Sequence, residues 1–177
     1  NNEYKEENLE GIKIYRLPKQ FKISNTPISF KWKKQIKEII EKEQPDIINA
    51  HTPVPYISDI TCKIANKMNI PFVIKYHHGG SMKKGAFFID ILIGLYEKIF
   101  LRRLLLKSKM IITPSEFVTK DFMKKYSDKA ITITSAVNTE IFKPLKYENK
   151  NTLLFVANLK KSEGYKGLNY LLESIVL

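Results

Sequence analysis

Short apolar runs alternate with stretches of helical hydrophobic spacing along this chain. The runs predict strands over residues 12–17, 46–50, 72–76, 108–113, 130–134 and 153–157. The periodic stretches predict helices over residues 30–43, 57–68, 87–107 and 115–126, and a further helix from Gly167. Residues 19–29 and 77–85 have the composition of loops. This alternation predicts an α/β fold, with right-handed βαβ units on a parallel sheet that helices cover on both faces.

The length of 177 residues suits one domain plus part of another. A polar linker near residues 146–151 is the best boundary, which gives domains over residues 1–145 and 146–177. The chain starts in a polar segment and stops within an apolar helical pattern, so we expect a piece of a longer protein.

Composition places the chain among globular proteins, with 44% hydrophobic and 27% charged residues. Its single cysteine, Cys62, reads as a small core residue, and the lack of a disulfide framework favours a reducing, cytoplasmic location. Residues 1–10 are polar and acidic, which is not a signal-peptide pattern. The apolar stretch over residues 86–106 carries five charged residues, too many for a membrane span.

The net charge of +12 leaves two classes of function open. Thirty basic residues against eighteen acidic ones could form a solvated lysine-rich surface, or attract phosphorylated substrates, anionic lipids or nucleic acid. A non-catalytic basic domain that binds nucleic acid or anionic surfaces is therefore the alternative to an enzyme. No nucleic-acid-binding motif accompanies the scattered lysines, so we expect no nucleic-acid partner.

All three histidines follow predicted strands. His51 comes after the strand over residues 46–50, and His77 and His78 come after the next strand, with Gly79 and Gly80 behind them. Ligands of open α/β sheets bind outside the carboxyl ends of the strands, so these residues predict a site at one sheet edge. Zinc usually takes three or four close protein ligands including Cys in structural sites, so we expect no metal here.

Three neighbours at the same edge are weaker candidates for this cleft. Thr52 follows His51, while Ser115 and Glu116 follow the strand over residues 108–113. Ser115 also fits a helix N-cap, and Glu116 fits the first helical turn, where a carboxylate suits the helix dipole. His51 itself is favoured as a structural residue that fills a strand end and bonds a neighbouring loop.

Five segments along the chain form an ordered set of motifs. They are Pro45–His51, Phe72–His77, Lys109–Glu116, Ser135–Pro144 and Leu153–Gly167. In this order they resemble "PDVVHAH", "PVVxTxH", "ADxVIxxSE", "NGVDxxxFxP" and "LLFVGRL…KG" of the GT4-like glycosyltransferases, which have the two-domain GT-B fold. The resemblance implies a Rossmann-like acceptor domain, followed by the first βα unit of a second Rossmann-like domain that binds a nucleotide-sugar.

Membership of this family would imply a specific reaction. It implies transfer of a sugar from a UDP- or GDP-linked donor to a saccharide or lipid-linked acceptor, with retention of configuration and no metal or other cofactor. It places the reaction in the cytoplasm or at the cytosolic face of a membrane. A minority interpretation has Phe87, Phe88 and the Lys83–Lys84 pair in peripheral contact with an anionic membrane.

Resemblance also assigns roles to individual residues. His77 matches the histidine that faces the donor sugar, and Lys166 matches the lysine that binds the donor phosphates, so both are expected to be catalytic. Gly79 and Gly80 would let the backbone approach a ligand closely. Asn158 replaces the family arginine and can hydrogen-bond a phosphate without adding charge. With part of the donor half missing, we expect the chain alone to be inactive.

Overall fold

A computed structural model describes residues 3–23, 26–52, 54–77, 87–144, 152–159 and 166–175, with the backbone alone at residues 87–90 and 92. The chain divides into two compact units, Asn1–Ala136 and Val137–Leu177. This division of contacts does not test independent folding. The boundary between domains 1–145 and 146–177 therefore stays a prediction.

Two antiparallel hairpins open the first unit. Their strands are β1 (Lys5–Leu9), β2 (Ile12–Arg16), β3 (Phe21–Ile23) and β4 (Thr26–Ile28). Glu10 and Gly11 form the two-residue turn between β1 and β2 with φ values of 50° and 85°, the left-handed conformation that such turns need. The hydrophobic pattern predicts only β2, and the loop predicted over residues 19–29 is wrong. Hairpins can pair through backbone hydrogen bonds even where their side chains are largely exposed.

A four-stranded parallel sheet forms the centre of the first unit. Its strands are β5 (Ile48–Thr52), β6 (Phe72–Tyr76), β7 (Met110–Thr113) and β8 (Ala130–Thr132), in the order β5-β6-β7-β8. The sheet is flanked by helices, which confirms the α/β, Rossmann-like class. All four strands were expected from their apolar runs, but the bounds of three differ. β5 lies two residues later than its run, so His51 and Thr52 end the strand and do not follow it. β7 begins two residues later than its run, and β8 ends two residues earlier.

The helices before and between these strands largely follow the predicted periodicity. They are α1 (Trp32–Glu43), α2 (Ile57–Lys67), α3 (Phe87–Tyr96) and α4 (Arg102–Lys107), the last two joined by a π-helical turn, Glu97–Leu101. The α-helix predicted over residues 115–126 is instead mainly a π-helical turn, Val118–Phe122, and a 3₁₀ turn, Lys124–Tyr126. Among the helices of the described ranges, none has the length and apolar content that crossing a bilayer requires.

The main core lies between the sheet and its helices. Phe72, Ile74 and Ile111 are fully buried and pack with side chains of α2 and α4. A second cluster, centred on Trp32 of α1, packs α1 against α2. These contacts hold the carboxyl ends of β5, β6 and β7 in fixed positions relative to one another.

The described part of the second unit contains one helix, α5 (Leu168–Ile175). Residues 152–159 have no regular structure, so the strand predicted over residues 153–157 is wrong. Leu154 and Val156 are 85% and 83% exposed, and within the described ranges no strand lies beside them to complete a sheet. Gly167, just before α5, has a φ of 79°, a conformation that favours glycine.

Cys62 should react slowly with thiol reagents in the folded protein. Its side chain is 2% exposed, as expected for a core residue, and burial raises the pKa of the thiol to about 11. The reactive thiolate is therefore scarce at neutral pH. Spectrophotometric titration with a disulfide reagent should show slow labelling in buffer and fast labelling in guanidinium chloride. Equal rates in both conditions would contradict the buried position.

Candidate functional site

The carboxyl ends of β5 and β6 bring two of the three histidines together. These strands are parallel and in register, with His51 opposite Lys75 and Thr52 opposite Tyr76. His77 follows directly after β6, and its backbone N–H donates to the Thr52 carbonyl over 3.1 Å, which extends the strand pairing by one bond. This places the two imidazole rings side by side at the sheet edge.

The His51 and His77 rings form a direct hydrogen bond. His51 Nδ1 lies 2.7 Å from His77 Nε2, the ring centroids are 4.9 Å apart, and the ring planes differ by 19°. One nitrogen of this bond must donate and the other must accept, so at least one ring is neutral. The bond leaves His77 Nδ1 and His51 Nε2 as the ring nitrogens outside it. A side chain expected to be structural, His51, is thus an exposed partner of His77.

The surroundings of His77 favour its neutral form. Loss of hydration, the neighbouring His51 and the positive charge of Lys75 lower the pKa of His77 below its usual value of 6.5, in that order of importance. A neutral imidazole both donates and accepts a hydrogen bond, as does a sugar hydroxyl. The ring is therefore suited to hydrogen-bond a polar, uncharged ligand at neutral pH.

Replacing His51 with alanine should raise the pKa of His77 toward its usual value, because the substitution removes a like charge and admits water. As the pH falls from the usual histidine pKa of 6.5 to the lower pKa of the folded ring, the unfolded chain takes up more protons at this ring than the folded chain, so acidification through this range should also lower stability. NMR titration of the His77 ring protons measures the first effect. Lys75→Gln is the control, with a smaller rise expected. An unchanged pKa in His51→Ala would contradict the coupling between the rings.

A hydrogen bond from α2 holds the carboxyl end of β5 in place at His51. Ser58, in the first turn of α2 and 3% exposed, donates its hydroxyl to the His51 carbonyl over 3.1 Å. Thr52 is 1% exposed, and its Oγ1 has no hydrogen-bond partner in the described part of the chain. The Thr52 side chain therefore lies in the interior, and its carbonyl is the group that contacts His77. Ser58 could not be predicted from sequence, because its contact with His51 crosses a loop.

Ser115 and Glu116 follow the neighbouring strand and have local partners. Ser115 Oγ accepts the Val118 backbone N–H over 3.4 Å, the bond expected of a capping serine, although the helical turn that follows covers Val118–Phe122 and not the predicted residues 115–126. Glu116 forms a salt bridge with Lys120, one helical turn later, at 2.8 Å. The hydrogen bond from Lys120 lowers the pKa of Glu116, which stays ionised at neutral pH. The contacts of both residues are local ones, formed at the start of the turn after β7.

A cluster of three threonine hydroxyls fixes the end of β7. Thr113, at the strand end and fully buried, hydrogen-bonds Thr119, and Thr119 lies 2.7 Å from Thr132 of the next strand end. The Thr119 hydroxyl also donates to the Ser115 carbonyl over 3.2 Å. These bonds hold the segment that carries Ser115 and Glu116 against the sheet edge. The sequence analysis missed this cluster, since its members lie on three separate elements.

Asn158 and Lys166 belong to the second unit and are both exposed. Lys166 directly precedes Gly167 and α5, where backbone N–H groups at the start of a helix favour anions. His78, Gly79 and Gly80 lie outside the described residues. The structure thus brings His51, Thr52 and His77 together and places Ser115 and Glu116 after a neighbouring strand.

Within the described ranges, no group of three or more His, Cys, Asp or Glu side chains is arranged to hold a metal ion. The chemistry that the site offers is hydrogen bonding from neutral imidazole and backbone groups.

The chain matches a known protein family. The model of the family described as Glycosyltransferase Family 4 matches residues 2–141, about four fifths of the chain. No curated protein matches the chain. The matched region covers the parallel sheet, both hairpins and the histidine pair.

Proposed function

Since the chain belongs to glycosyltransferase family 4, we propose that it transfers a sugar from a nucleotide-sugar donor to a saccharide or lipid-linked acceptor. The first unit supplies the acceptor side of this reaction. The observation that carries the proposal is the hydrogen-bonded pair of His51 and His77 at the carboxyl edge of the sheet. Ligands of such sheets bind at this edge.

In this proposal His77 contacts the donor sugar. Its neutral ring hydrogen-bonds a sugar hydroxyl, and the contact strengthens as positive charge develops on the sugar ring. His51 is a positioning residue, because its bond to His77 Nε2 restricts the ring orientation and leaves Nδ1 for the substrate. The Ser58 hydroxyl supports this arrangement by holding the His51 backbone.

Lys166 and Asn158 take the phosphate side of the reaction. The leaving nucleoside diphosphate gains negative charge during transfer, so a cation aimed at it stabilises the transition state more than the ground state. Lys166 supplies that charge next to the start of α5, and Asn158 supplies a hydrogen bond. Side-chain and backbone donors then take the place of a metal, and the configuration of the sugar is retained.

The acceptor and the location are further parts of the proposal. A single buried thiol suits a reducing compartment, and we place the reaction in the cytoplasm or at the cytosolic face of a membrane. The charge of +12 suits donors and acceptors that carry phosphate. Residues 1–177 alone are expected to show no turnover.

A panel of UDP- and GDP-sugars, assayed with the intact protein for binding and for nucleotide release, tests the transferase function. Binding of one donor class, with nucleotide release that increases on adding an acceptor, would support it. Binding of duplex DNA with a steep salt dependence, and no binding of any nucleotide-sugar, would instead support the non-catalytic basic domain.

A further inference from the structure

The helix that runs from Phe87 to Lys107 exposes apolar side chains on its outer face. Its inner face packs into the core, where Leu101, Leu104 and Leu105 are buried. Ile91, Leu95 and Ile99 follow one another at four-residue steps and are 52%, 51% and 47% exposed. Leu106 is 56% exposed. We call these four residues the outer stripe.

Two grooves lie on either side of the outer stripe and show which way this face of the helix points. Lys98 and Arg102 line one groove together with Met123 of the neighbouring turns. Arg103 and Lys107 line the other groove together with Lys63 of α2. Elements of the same unit therefore pack on both sides of the helix and beneath it. The outer stripe is the part of the helix that faces away from them.

Cations border this apolar surface. From Phe87 to Lys107 the helix carries four basic residues, Lys98, Arg102, Arg103 and Lys107, against two acidic residues, Asp90 and Glu97. All four basic side chains are exposed. Lys63, from α2, and Lys125, after β7, add positive charge to the two grooves. Aliphatic side chains with a basic border fit the boundary between acyl chains and anionic headgroups.

We propose that the outer stripe docks the protein peripherally on an anionic lipid surface. Its aliphatic side chains enter the acyl boundary, while Lys98, Arg102, Arg103 and Lys107 contact lipid phosphates. A protein partner would also cover apolar residues, but the four basic residues of the helix, against two acidic ones, favour an anionic surface. Lys83 and Lys84, which the sequence placed in contact with a membrane, lie outside the described ranges and are not part of the outer stripe. Docking of the outer stripe does not depend on transferase activity.

Co-sedimentation of the full chain with lipid vesicles tests the proposal. The vesicles are phosphatidylcholine alone and phosphatidylcholine mixed with phosphatidylglycerol. We expect binding to the mixed vesicles, weakened by salt, and little binding to phosphatidylcholine. Leu95→Gln/Ile99→Gln should weaken binding about tenfold or more, since it removes two inserted side chains. Arg102→Gln/Arg103→Gln should reduce the preference for the mixed vesicles.

A matched variant distinguishes insertion of the outer stripe into the lipid from non-specific binding through any exposed apolar residues. Leu9→Gln/Ile12→Gln changes two apolar residues of the β1–β2 hairpin that are 60% and 67% exposed, and it should bind like the unchanged chain. Circular dichroism confirms that each variant is folded. Failure of the unchanged chain to bind mixed vesicles would overturn the proposal. Undiminished binding of the folded stripe variant, or equal weakening in the hairpin variant, would overturn it as well.

Discussion

Replacing Lys166 with methionine is expected to lower kcat/KM for sugar transfer by about 10²–10³-fold, the usual effect of removing one group that stabilises transition-state charge. The proposed role of Lys166 is to offset negative charge on the leaving diphosphate. Methionine keeps much of the side-chain length and removes the charge. Steady-state rates of nucleotide release in the intact protein measure the effect.

Two further variants show whether charge is the cause. Lys166→Arg keeps the positive charge and should recover part of the lost rate. Lys22→Met removes an exposed lysine of β3 in the other unit and should leave the rate unchanged. A Lys166→Met protein with the rate of the unchanged protein would remove Lys166 from the mechanism.

Replacing Ile74 with alanine is expected to lower the free energy of unfolding by about 2–5 kcal/mol. Ile74 lies in the centre of β6 and is fully buried between the sheet and its helices. The truncation removes buried methyl and methylene groups and leaves a cavity in a close-packed core. Equilibrium denaturation in urea measures the loss.

Ile131→Ala is the control for this core substitution. Ile131 lies in β8 and is 38% exposed, so its truncation should cost clearly less than that of Ile74. Equal losses at the two positions would contradict the packing described for β6.

The sheet could be predicted from sequence because its strands carry their own signal. Runs such as Phe72–Tyr76 are apolar at four of their five positions, and buried parallel strands require such nearly continuous apolar runs. The β1 strand, Lys5–Leu9, carries no such signal, since it is largely exposed and owes its structure to pairing with β2. The opposite error occurs at residues 153–157, where a strand was predicted and none forms. These residues have a strand-like composition but no adjacent strand in the described part of the chain.

The site could be predicted as a location but not as a set of contacts. Strand topology alone places His51 and His77 at one sheet edge. Their 2.7 Å bond depends on the register of β5 against β6, which the sequence does not specify. The interior position of the Thr52 side chain follows from the alternation of side chains along a strand and could have been anticipated. The threonine cluster at Thr113 could not be predicted, because its members lie on β7, on the turn after β7 and on β8.

The measurement that tests the account most directly compares His77→Ala with His51→Ala in the intact protein at saturating donor. We expect His77→Ala to lower kcat by about 10²–10³-fold with an almost unchanged melting temperature, because the proposed role of the ring is to contact the donor sugar and the side chain is exposed. His51→Ala should cause a smaller loss and move the pH dependence of kcat, since it acts through His77. A folded His77→Ala protein with nearly normal kcat would contradict the proposed role of the histidine pair.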